Sequence, residues 1–122
     1  LEVAAPFGSY SGSDTVLGLT ASATVTVIDD KTVDMAMTGA VSLSCPGEKY
    51  TLAEDGSITL DNIGDDSDCV KQGMDDNHVT LQSIKYDEAA DTITIESKVT
   101  VVSTTIVMTK DKAVAEPTAV LM

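Results

Sequence analysis

A chain of 122 residues, 43% of them hydrophobic, is long enough to bury a core and too apolar to stay disordered, so one domain over 1–122 is expected. Twenty acidic residues against seven basic ones give a net charge of −13, and every basic residue is Lys. That balance argues against nucleic-acid binding, which needs a basic surface and often Arg forks, and against docking on anionic membranes. Trp is absent and Phe occurs once, so the apolar mass is Val, Ile, Leu, Ala and Met interleaved with Thr and Ser. Such stiff, branched side chains suit a pleated, half-buried surface.

In chain order, period-two alternation dominates. Leu19, Ala21, Ala23, Val25 and Val27 share one face, with Thr20, Ser22, Thr24 and Thr26 on the other. Asp29-Asp30-Lys31 supplies turn chemistry, and alternation resumes through Val33, Met35, Met37, Gly39, Val41 and Leu43. The two runs predict a hairpin of long strands with one wet face. A shorter hairpin follows, with Tyr50 and Leu52 leading to the turn Glu54-Asp55-Gly56 and Ile58 and Leu60 returning. Asp65-Asp66-Ser67-Asp68 then reads as helix-capping sequence before Cys69, Val70 and Met74, predicting a short helix that ends near Asn77.

Val79 and Leu81 alternate, and Ile84 and Tyr86 continue out of phase, which predicts a bulge near Gln82-Ser83. Asp87 to Ala90 turns the chain. Ile93, Ile95, Val99 and Val101 alternate on odd positions, then Val102, Thr104, Ile106 and Met108 on even ones. Either a tight turn at 98–100 or a bulge in one long strand accounts for that switch. The fold class expected is all-β and mainly antiparallel: a meander barrel, or a strongly bent sheet, of about eight strands with one short helix mid-chain. The tail, 113–122, is mildly apolar and is expected to rest on the barrel or on a second copy, which would make a homo-oligomer.

Cys45 and Cys69 form an even count in a small domain and lack the spacing or neighbours of a zinc site. Asp68 beside Cys69 disfavours a reactive thiolate, so a structural disulfide is predicted. Leu1 to Pro6 carries small residues of the kind found near a signal-cleavage site, and no apolar run approaches a membrane span. The expected location is secreted or at the extracellular surface.

The opening Phe7-Gly8-Ser9-Tyr10-Ser11-Gly12 resembles the first strand of the calycins, the lipocalin and fatty-acid-binding-protein superfamily, with Tyr10 where their Gly-x-Trp motif has Trp. The succession of hairpins, ending in the pair Ile84–Asp87 and Asp91–Ile95, is similar as well. The resemblance implies a barrel with a ligand-holding interior. The mid-chain helix and the lack of an Arg to hold a fatty-acid carboxylate depart from the family and leave the ligand class open.

Catalytic signals are lacking. His78 is the one histidine, no Gly-x-Ser-x-Gly elbow occurs, and a sugar cleft would want aromatic platforms. The oxygens of Asp61 to Asp68 are dense, yet calcium-loop spacing fails and helix capping accounts for them. No catalytic residue, metal or cofactor is therefore expected. The primary functional expectation is a small apolar ligand held by Val25, Met35, Met37, Ile93 and Met108, the Met side chains adapting to its shape. The competing expectation is a structural or interaction protein of a cell surface or extracellular coat, with a solid interior.

Overall fold

The computed structural model describes residues 6–16 and 18–110; the tail at 113–122 and its expected packing lie outside them. Eight strands are β1 (Gly8–Val16), β2 (Leu19–Val27), β3 (Thr32–Gly39), β4 (Leu43–Leu52), β5 (Ile58–Leu60), β6 (Val79–Asp87), β7 (Thr92–Val99) and β8 (Val102–Lys110), and one helix, α1 (Cys69–Asp76), stands between β5 and β6. They form a single antiparallel sheet in the order β5-β4-β3-β2-β1-β8-β7-β6. The sheet curls into a nearly closed meander barrel: β1 pairs with β8, and the free edges of β5 and β6 meet at one bridge, Ser57 with Lys85.

Alternation sends one side chain in two to the interior. Ala21, Ala23, Val25 and Val27 of β2 are buried, and so are Val33, Met35 and Met37 opposite them on β3. The intervening positions face water, where Ser9 and Thr26, and Ser11 and Thr24, bond to each other across β1 and β2. The long strand expected to run through Leu43 is instead two. β3 ends at Gly39, whose left-handed backbone (φ +87°) only glycine adopts freely, and a Cβ there would collide with the Thr20 carbonyl. Alternation hid this turn because Val41, within it, is buried like a strand residue.

The open choice at 98–100 resolves to a tight turn. Val99 pairs with Val102, and Thr100 takes φ +59° with its N–H donated to the His78 carbonyl at 2.9 Å. A β-branched residue rarely adopts that conformation, which is why no turn residue marked the place. The bulge of β6 falls between Leu81 and Ser83, as its phase slip predicts. A second irregularity, in β4, has more consequence. Val33 pairs with Glu48 while Met35 pairs with Cys45, so Pro46-Gly47 is extra chain that turns Glu48 and Tyr50 inward.

Candidate functional site

The helix and the cysteines come together as the sequence predicts. Asp68 caps α1 by accepting the Lys71 N–H at 3.1 Å, and Asn77 closes its far end. Val70 and Met74 face the core, and a Cβ at Gly73 would lie 2.9 Å from that of Leu43, so glycine lets the helix lie close on β4. Cys45 of β4 and Cys69, the first residue of α1, are joined in a disulfide with Cα atoms 5.6 Å apart. The rest of the acidic stretch serves turns: Asp65 accepts the Ser67 N–H and hydroxyl, and Asp61 accepts the Thr51 hydroxyl. No group of three potential metal ligands occurs among the described residues.

The five side chains expected to line a ligand cavity, Val25, Met35, Met37, Ile93 and Met108, are all buried in the core. Val25, Met35 and Ile93 border an apolar void shared with Tyr50, Leu60 and Ile84. Its volume is about 10 Å³, about enough for one water molecule. Met37 and Met108 are buried outside that lining. A larger opening, about 480 Å³, lies away from all five. It is a cleft against β6 and β7, where Glu54, Asp55, Asp87, Glu88 and Glu96 surround Lys85.

One end of the barrel carries a polar cluster that sequence reasoning missed. Tyr10, fully buried on β1, donates its hydroxyl to Asp91 Oδ1 at 2.6 Å, and Tyr86 of β6 donates to the same oxygen at 3.0 Å. Their rings meet edge to face with centroids 6.4 Å apart. Lys110, at the end of β8, is 3.2 Å from Asp91 Oδ2 and sits 3.6 Å over the Phe7 ring. The Tyr10 hydrogen bond, above all, holds the Asp91 carboxyl below the usual carboxylate range; burial, then Asp91 itself, raises both phenols. The sequence marked Tyr10 only as standing where the calycin motif has Trp, and its partner lies 81 residues away in a turn.

The second missed feature is Glu48. Only 6% of its surface is exposed, and its Oε1 has no hydrogen-bond partner among the described residues. Its carboxyl meets that of Asp68, the cap of α1, in hydrogen-bonding contact. A charge-bearing residue on an inward position was the available signal, masked by the Pro46-Gly47 slip.

The architecture, an eight-stranded and nearly closed antiparallel barrel, is compatible with the calycin resemblance. Comparison with known protein families, curated proteins and solved structures finds no match for the chain. No helix among the described residues is long and apolar enough to cross a membrane.

Proposed function

We propose that this barrel is a filled scaffold, secreted or displayed at a cell surface, that works through its outer wall as a structural or interaction module. One observation carries the reading: among the described residues, the apolar void bordered by Val25, Met35 and Ile93 measures about 10 Å³, whereas small-molecule sites generally enclose roughly 300 Å³ or more. The disulfide supports an oxidising compartment. Hydroxyl-bearing outer rows and strong negative charge favour a dispersed molecule that presents hydrogen-bonding groups to a partner.

Native mass spectrometry of protein purified from its source tests this directly. The expected mass is that of the polypeptide with one disulfide; an apolar molecule retained at one per chain overturns the reading. Ala23→Phe supplies a check from inside the core, since Ala23 is buried beside Met37. Overpacking should cost about 1–3 kcal/mol in denaturant unfolding. An unchanged midpoint, together with loss of binding to an apolar fluorescent probe, would restore the ligand-holding barrel.

A further inference from the structure

The edges of β5 and β6 meet at the Ser57–Lys85 bridge and through the Tyr86 N–H donated to the Gly56 carbonyl at 2.8 Å. Beyond that point β5 has ended, and α1 occupies the seam, packed on both β4 and β6. Its N-terminus stands over the place where the Pro46-Gly47 slip turns Glu48 inward. We propose that Glu48 and Asp68 form a latch, which holds α1 on the seam while Glu48 keeps its proton and donates it to Asp68, and which loosens when Glu48 ionises.

Burial and an oxygen left without a partner favour a proton on Glu48. Two carboxylates at hydrogen-bond distance repel, whereas a protonated Glu48 donates to Asp68 and removes the repulsion. The unpartnered Oε1 points the same way. A buried acid carbonyl without a partner costs far less than a buried carboxylate oxygen without one. The neighbouring charges offer no substitute. Lys71 of α1 turns its ammonium to Asp75 at 2.5 Å and Asp66 at 3.8 Å. On β3, Asp34 accepts the Gly47 N–H outside the wall, and on β4 the Lys49 ammonium reaches Thr32. The Tyr50 hydroxyl donates to the Asp29 carbonyl. Ile58-Thr59-Leu60 of β5 carries no charge, and Lys85 of β6 is exposed.

Burial first, and the Asp68 carboxylate second, push the pKa of Glu48 up to about 7. The sign follows. The latched state binds the proton more tightly than the released state, where Glu48 regains its ordinary value of 4.5. The latch is therefore complete below the ordinary value, weakens as pH rises between the two, and has lost its contribution above the raised one. Release removes the Asp68 contact while Cys69 stays bonded to Cys45 and Val70 and Met74 stay in the core, so α1 loosens without leaving the seam.

Two measurements on the full chain test the latch. A carboxyl-carbon NMR titration should place the Glu48 midpoint near 7; Asp68→Asn, which keeps a good capping side chain, should return it toward the ordinary range. Amide exchange, corrected for intrinsic rates, should show α1 protection falling about a hundredfold from pH 5 to pH 8.5. The β7 and β8 amides should keep theirs, and Glu48→Gln should make α1 protection independent of pH. A Glu48 midpoint in the ordinary carboxylate range, or α1 protection unchanged across that interval in the native protein, overturns the proposal even where the Gln variant does not fold.

Discussion

The two junctions that close the barrel are built from different materials. Where β1 meets β8 the joint is backbone on backbone: Tyr10 pairs with Lys110 and Ser11 with Thr109, and Gly12 then lies so close that a Cβ would collide with the Val107 carbonyl. The Tyr10–Asp91–Tyr86 cluster, with Lys110, supports this joint at one barrel end. Where β5 approaches β6, a strand of three residues cannot form a ladder along a strand of nine. A helix, a disulfide and two carboxyls do that work instead. An exposed strand edge is a template for pairing with other chains, so covering it is required and the means are free.

The strongest test of the contrast removes the covalent part of the second joint. Cys45→Ala with Cys69→Ala should lower stability to chemical denaturation by about 3.5 kcal/mol, from the loop-closure entropy of the linked segment. Exchange protection should fall first in β5 and α1, with β1 and β8 the last affected. Equal loss at both joints would mean that they are not independent.

Gly12→Ala attacks the first joint. The methyl must push β1 off the β8 backbone, at a cost of about 2 kcal/mol, measurable as a shift of the denaturation midpoint. An unchanged midpoint would show that the close approach relaxes freely.

Acid gives the smallest and most selective effect. Asp91 is held ionised, so its contribution is present above the ordinary carboxylate value and is lost as pH falls through its lowered one. Glu48 has the opposite sign. Acidification should loosen the β1–β8 end while tightening the β5–β6 seam. Asp91→Asn, with a side chain that tolerates the φ of +55° at this position, should flatten the acid limb of the stability profile and leave the alkaline limb intact. Parallel loss of both limbs would break the comparison.

How much of this was legible depends on the range of the signal. Alternation along β2, β3 and β7 placed Val25, Met35 and Ile93 inside, because inward facing is a property of neighbours in sequence. Asp68 as a cap and the Cys45–Cys69 link were legible for a similar reason, since capping chemistry is local and only two cysteines compete. The turn at Thr100 was ambiguous because tertiary contact, including the His78 carbonyl, holds an unsuited residue there. Glu48 and the tyrosine cluster were hidden altogether. One needs a register slip, the other contacts across the barrel, and composition records neither. Whether inward side chains leave space between them is likewise a matter of three-dimensional fit, invisible to a pattern of alternation.

The strand order carries a consequence for how the chain reaches this structure. Six of the seven neighbouring strand pairs join consecutive strands, and one, β1 with β8, brings together segments about 100 residues apart. Local pairs cost little loop-closure entropy, while the long-range pair must wait for the others to shorten the path. We predict that β1–β8 closure comes after the rate-limiting step of folding. The Gly12→Ala change should then leave the refolding rate nearly constant and appear almost wholly as faster unfolding. Slowed refolding in stopped-flow measurements would instead put the joining of first and last strands inside the nucleus.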